Sequence, residues 1–309
     1  MVAVLGAVLV CASPTHAGRD RSSSAGSEIA FASNRGGNFD IYSLRADGTG
    51  VRRITNDPSA DIAPSWSPDG KRIAFLSQRG LSKRLVKDGG FRVFVVSAGG
   101  GSVRLLTRTP AQYGRPAWAP NGRVIAVSLP NLPNFVAGMF LLSASDGQRT
   151  RVSRTGSLED DWPTWSPDGS HMAFVAMDAC CPPHEHVYLM RADGRARHPL
   201  TRGDVGRDSA PAWSPNGSRI AFSHAFRMGT RPWRAEIQTV STDGTKLDTL
   251  SRGHLDAEPA WSPDGSRIAF VRSTGKTAHL YLIRTAGGRP HQLTQGQSID
   301  FEPAWQPTR

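Results

Sequence analysis

The sequence is poor in cysteine, has no long apolar run and is short of acidic charge. Only three cysteines occur in 309 residues, and two of them, Cys180 and Cys181, are adjacent. A disulfide framework is therefore excluded, and stability must come from a hydrophobic core. No stretch of 18 apolar residues exists, which excludes a polytopic helical membrane protein. Asp and Glu number 26 against 37 Lys and Arg, for a formal net charge of +11. Several catalytic signatures are also missing. There is no G-x-S-x-G, hence no nucleophile elbow. His184-Glu185 is followed by Tyr188 where a zinc-protease helix needs His, and Gly275-Lys276-Thr277 has Phe270 where a P-loop needs Gly.

Turn formers and large aromatics are abundant. Gly (32) and Pro (22) break the chain often, while eight Trp and twelve Phe need burial. That combination excludes a coiled coil, collagen and a disordered chain, and favours many short strands joined by tight turns. At the N-terminus, Val2 to Ala12 is apolar or small, the length of a leader core and too short for a bilayer span. Residues 1–17 are expected to be a signal peptide whose own start is truncated, since no Lys or Arg precedes Arg19. Residues 18–27 read as a polar linker.

Everything after residue 27 is a repeat. Trp66, Trp118, Trp165, Trp213, Trp261 and Trp305 recur at spacings of 52, 47, 48, 48 and 44. Five of them stand in one word: PSWSPDGKRIAF, PAWAPNGRVIAV, PTWSPDGSHMAF, PAWSPNGSRIAF and PAWSPDGSRIAF, with a shortened PAWQPTR at the end. The Trp segment is a strand, Pro-Asp/Asn-Gly is a tight turn, and Ile-Ala-Phe begins the return strand. A second hairpin follows in each unit, as in Ile41–Leu44, the Asp47-Gly48 turn and Arg53-Ile54-Thr55. Four strands per unit at this pitch describe a propeller blade. The chain begins on a second strand at Glu28 and ends on a first strand at Trp305. The expected fold is therefore an all-β, six-bladed β-propeller over 28–309. Each blade has four antiparallel strands, and segment 303–309 pairs with 28–32 to close the ring.

The P-x-W-S-P-D-G-x-x-I-A-F word, followed by L-Y-x-x-x-A-D-G and L-T, resembles the TolB-type, WD-like propeller repeat over residues 28–309. TolB itself carries an N-terminal α/β domain that contacts envelope partners; with only ten residues between the expected leader and the propeller, that domain is not expected here. The same propeller type is similar to the non-catalytic domain of prolyl-oligopeptidase-like peptidases. The resemblance implies a binding or protein-interaction propeller, secreted, periplasmic or of the cell envelope. The alternative is a propeller hydrolase or lyase with a metal-assisted site at the channel mouth.

Candidate site residues lie in two places. Asp61, Asp160, Asp208, Asp256 and Asp300 recur three residues before the repeat Pro, with Tyr113 in the remaining unit. A recurrent residue serves the repeat, for example by accepting backbone N–H bonds. Asp161, Trp162, Glu258 and Glu302 depart from the pattern, so with Asp160 they are the expected ligand or partner contacts at the channel mouth. At the rim, the long loop 223–236 offers Arg231 and Trp233, and loop 76–92 adds further basic residues. Cys180-Cys181-Pro-Pro-His184-Glu185-His186 admits three readings: a vicinal disulfide, a metal site using Cys181, His184 and His186, or a plain polar loop. No cofactor and no nucleic acid is expected. The expected partner is a protein or an anionic envelope polymer, and the chain is expected to be a monomer without a transmembrane anchor once the leader is removed.

Overall fold

The computed structural model describes residues 27–107, 114–129, 138–153, 160–177, 184–203, 206–227, 232–252 and 255–308. The expected leader, nearly all of the linker, Cys180, Cys181, Tyr113 and Arg231 lie outside the described residues. Among the described residues there are 24 strands and one short helix, Lys83–Lys87, and no helix is long and apolar enough to cross a membrane.

Each Trp unit is an antiparallel meander of four strands. The Trp66 unit runs Asp61–Trp66, Arg72–Ser77, Arg92–Ser97 and Arg104–Leu105. The Trp118 and Trp165 units repeat the pattern, each as a separate four-stranded sheet. The Trp305 unit is assembled from both ends of the chain. Its first strand, Asp300–Trp305, pairs antiparallel with Glu28–Ser33, with Ile29 opposite Trp305 and Ala30 opposite Ala304. The Trp213 and Trp261 units form one eight-stranded sheet. A single parallel pair, Ala235 with Leu255, joins them. The hydrogen-bonded sheets thus number five, four of four strands and one of eight. The fold is an all-β propeller with four-stranded blades.

The repeat word explains its own geometry. In the first turn, Ser67 Oγ accepts the Arg72 N–H at 2.9 Å and the Asp69 carboxylate accepts the Lys71 N–H at 3.1 Å. Gly70 stands at φ 65°, a conformation that a side chain disfavours. Phe31, Phe75, Phe174, Phe222 and Phe270, the last residue of the word in five units, are among the largest fully buried side chains. The Thr or Ser that ends each unit has one function throughout. Its hydroxyl accepts the N–H of a third-strand residue 14 positions earlier, from Thr55 with Ile41 to Thr294 with Leu280, in all six units.

The repeat Trp ties neighbouring units together. The indole N–H of Trp66, Trp165, Trp261 and Trp305 donates to the carbonyl of Ala304, Ala117, Ala212 and Ala260, each on the adjacent first strand. Trp118 and Trp213 have buried indole nitrogens without such an acceptor. Their neighbouring first strands carry Ser65 and Thr164 at the position where the others carry Ala. Replacing Trp66 by Phe is therefore expected to cost about 1 kcal/mol more than replacing Trp213 by Phe, the value of one net hydrogen bond. Urea denaturation of both variants measures that difference, and equal losses would discard the locking role.

Candidate functional site

The first strand of every unit faces a central cavity of about 260 Å³, lined by Pro64, Pro116, Pro163, Pro211, Pro259 and Pro303 with the adjoining Trp residues. The starts of these strands lie at the loop-rich end of the ring, because the turns of the word lie at the other end.

The repeated aspartates sit at those starts and are almost wholly buried. An ionised carboxylate at such a place needs a cation. Four of them have an arginine. Arg35 reaches Asp300 at 2.9 Å, Arg79 reaches Asp61 at 2.5 Å, Arg197 reaches Asp160 at 3.0 Å and Arg272 reaches Asp256 at 2.7 Å. Each guanidinium also lies over an aromatic pair: Phe31 with Tyr42, Phe75 with Phe94, Phe174 with Tyr188 and Phe270 with Tyr281, 4.8–5.5 Å from the ring centres. Burial pushes the Asp61 carboxyl up to about 6, against the opposing Ser77 hydrogen bond and the Arg79 charge.

The Trp213 unit departs from this arrangement. Opposite Asp208 stands His224, at the register position that Arg272 occupies opposite Asp256. His224 Nδ1 lies 2.8 Å from Asp208, Thr201 donates its hydroxyl to the same carboxylate, and His186 of the preceding unit approaches to 3.7 Å. The aromatic partner of Phe222 is replaced by Gln238. A cleft of about 680 Å³ opens here and runs from Asp208, His186 and His224 along the interface of two units to the Asp243-Gly244 turn. Burial would raise the Asp208 carboxyl, but hydrogen bonds from His186, His224 and Thr201 outweigh it and hold the group below the usual carboxylate range.

The residues that depart from the repeat at the channel are drawn together by backbone bulges. Ala63, Trp162, Ala210, Glu258 and Glu302, each just before the repeat Pro, have φ of 50–57°, and each strand shifts register there. The bulge turns the N–H toward the neighbouring unit. Glu302 accepts the Ala63 N–H at 2.6 Å, and Glu258 accepts the Glu302 N–H at 2.5 Å. The Glu258 N–H in turn donates to Ser223 Oγ at 2.9 Å, and Asp161 accepts the Trp162 N–H at 2.7 Å as well as the Ser128 hydroxyl. Arg115 spans from the Trp118 unit to the carbonyls of Glu302 and Pro303. Burial raises the Glu302 carboxyl to about 8; the Glu258 charge adds to this, while Arg115 and the Ala63 N–H oppose it. Glu258 is also raised by burial, against Arg115 and its bond from Glu302.

Of the residues singled out from sequence, Glu258 and Glu302 are thus in direct contact through one backbone N–H. Asp160, Asp161 and Trp162 are consecutive on the Trp165 first strand, with Asp160 buried and the other two partly exposed. Trp233 is 49% exposed beside the third strand of the Trp213 unit. His184 and His186 have ring centres 6.2 Å apart, and His186 faces Asp208. Among the described residues no group of three or more His, Cys, Asp and Glu side chains is arranged to hold a metal ion. Sequence reasoning missed His224 and Gln238. The signal was present in part: Phe222-Ser-His stands where the Trp261 unit has Phe270-Val-Arg, and Ile237-Gln stands where the other Phe units have a second aromatic ring.

Comparison with known proteins gives a consistent likeness. A family model described as "TolB beta propeller domain" matches residues 6–205, 81–257 and 209–309. A TolB homolog of Chlorobium chlorochromatii (strain CaD3) is 32% identical over 157 residues, 49% of this chain and 31% of that protein. One from Chlorobium luteolum (strain DSM 273 / BCRC 81028 / 2530) is 34% identical over 161 residues, 50% of this chain and 33% of that protein. The matched region is about a third of the length of each. Among solved structures, TolB from Acinetobacter baumannii superposes with a TM-score of 0.74 at 19% identity, covering 92% of this chain and 68% of that one. An oligogalacturonate lyase in complex with manganese superposes at 0.56 with 15% identity, covering 86% of this chain and 73% of that one. At these identities the two structures speak to the fold alone.

Proposed function

The chain belongs to the TolB β-propeller domain family, and from that premise we propose that it is a non-catalytic protein-interaction propeller of the cell envelope. The six Trp units count as six blades, the eight-stranded sheet contributing two, and residues 1–17 direct export. The partner, a protein or an anionic envelope polymer, meets the loop-rich face, with Asp160, Asp161, Trp162, Glu258 and Glu302 around the channel mouth and Arg231 and Trp233 at the rim.

The observation that carries this reading is Trp233. It is 49% exposed, one residue before the strand Arg234–Ser241. Large exposed aromatics beside arginine are the residues that dominate interface energies. The kinship with TolB homologs supports an envelope setting, and the +11 charge favours an acidic surface. The test is cross-linking capture from the native envelope fraction with wild type, Trp233→Ala and Arg231→Ala. The expected result is one dominant partner, reduced about tenfold by Trp233→Ala, the effect of losing 1–2 kcal/mol at a contact centre. Undiminished capture by both folded variants would overturn the assignment of the rim.

A further inference from the structure

Five buried aspartates of the same repeat position present a controlled comparison. Four are neutralised by a guanidinium that also lies over an aromatic face. The fifth, Asp208, has only histidines as ion-pair partners among the described residues. A histidine carries charge only when protonated, whereas arginine is always charged. Asp208 is as buried as its counterparts, at 4% exposure against 0–4% for the other four. It therefore lacks the permanent countercharge that its position receives elsewhere in the ring.

The same unit also lacks the side chains that fill the space. His224 is shorter than arginine and Gln238 is smaller than tyrosine, and a cleft of about 680 Å³ reaches Asp208 and Phe222. Two grooves of about 640 Å³ are lined by turn and strand residues of other units, and neither reaches an aspartate of this series. Gly206 lets the His224 ring pack against its backbone, since a Cβ there would stand 2.6 Å from His224 Cε1 and 3.0 Å from Nε2. At its inner end the cleft presents the Asp208 carboxylate beside two histidines and the Gln238 amide. A carboxylate only accepts, so His224 donates from Nδ1. Two carboxylates, Asp208 and Asp243, line the cleft against one arginine, Arg202.

We propose that the cleft at Asp208, His224, Phe222 and Gln238 is a vacated arginine socket that binds the guanidinium group of a ligand. The ligand's planar cation takes the place that Arg272 fills in the next unit, donating to the Asp208 carboxylate over the Phe222 ring. The remaining length of the cleft, out to Leu247 and the Asp243-Gly244 turn, holds the chain that bears the guanidinium. The site is separate from the Trp233 rim and does not depend on it.

Calorimetric titration of the wild-type protein tests this with three compounds: agmatine, acetyl-Gly-Arg-Gly-amide and its neutral citrulline isostere. The expected result is saturable binding of the guanidinium compounds with Kd below about 1 mM, and at least tenfold weaker binding of the citrulline peptide. A peptide tenfold tighter than agmatine identifies the source as an arginine side chain of a partner; comparable or tighter agmatine binding identifies a free small molecule. Both uphold the socket. The decisive variant is His224→Arg with Gln238→Tyr, which rebuilds the Arg272 and Tyr281 plug of the Trp261 unit. It is expected to fold, to melt at least as high as wild type and to lose binding by tenfold or more. The proposal is overturned by absent binding of both guanidinium compounds, by equal binding of the citrulline peptide, or by unchanged binding in a folded rebuilt variant.

Discussion

Deletion of residues 303–309 is expected to destabilise the protein far more than the loss of seven surface residues would. Substitutions at ordinary surface positions stay within about 0.5 kcal/mol. This segment is the end of the strand that joins the two chain ends. Its removal takes away the pairing of Ile29 with Trp305 and Ala30 with Ala304. It also removes the Trp305 bond to Ala260, the Ala304 carbonyl that receives the Trp66 indole N–H, and two bonds of Gln306, to Gly70 and Glu28. The first half of the strand Glu28–Ser33, now buried at Ile29 and Ala30, becomes a bare sheet edge, while Ala32 and Ser33 keep Phe301 and Asp300. Uncovering that much apolar surface together with an unpaired edge costs on the order of 5 kcal/mol or more and invites aggregation. A drop in Tm of at least 10 °C, or insolubility, is the expected outcome. An unchanged Tm with native far-ultraviolet circular dichroism would rule out ring closure through this strand.

A second large effect concerns pH. Glu302 has its carboxyl raised to about 8 by burial, with the Glu258 charge adding to it. The folded state therefore holds a proton that the unfolded chain releases near its ordinary value. Stability from this group is present in full below that ordinary value, near 4.3. It is lost as pH rises, down to nothing once pH passes the folded value. The slope is about 1.4 kcal/mol per pH unit while only the folded state binds the proton. Asp61, raised to about 6, acts in the same direction over a lower range. Measurements between pH 7 and 9 therefore separate Glu302 from it. Urea denaturation over that range should show wild type losing stability with pH. Glu302→Gln, which still offers an oxygen to the Ala63 N–H, should show a flatter profile and the higher stability at pH 9. Parallel profiles would mean that Glu302 is ionised throughout and that burial has been offset by other charges.

Much of the blade was legible in the sequence because its causes are local. The turn word specifies its own hydrogen bonds through Ser67, Asp69 and Gly70, all within six residues. The terminal Thr or Ser always reaches back 14 positions. Strand pairing from one turn to the next follows from such spacings. The number of separate sheets did not follow from the unit count. One parallel pair, Ala235 with Leu255, merges two units into an eight-stranded sheet, and such lateral proximity has no sequence period.

The site was legible only in part. That the aspartates of the first strand serve the architecture could be read from their recurrence. How each is neutralised could not. Asp61 takes its arginine from beyond the second strand of its own unit, while Asp160 takes Arg197 from near the fourth. The sequence groups His186 with Cys181 and His184, and only the tertiary structure brings it to face Asp208 in the next unit. Glu258 and Glu302 stood out by departing from the repeat. Their bonds to bulged N–H groups came from the tertiary structure, because the bulge turns each N–H across a blade interface.

The sequence by itself determined the strand count per unit, the turn chemistry, the buried Phe series and the joining of first and last strands. These depend on dihedral preferences and on alternation along one chain segment. The tertiary structure alone decided which charges meet. Glu302 bonds a backbone N–H 239 residues away, and Asp300 receives Arg35 across 265. Contacts of that kind arise from the circular arrangement of units, in which the two ends of the chain become neighbours. The same circle sets Asp208 apart, since its histidine partners stand out among the described residues only when the arginines of the other four aspartates are seen beside them.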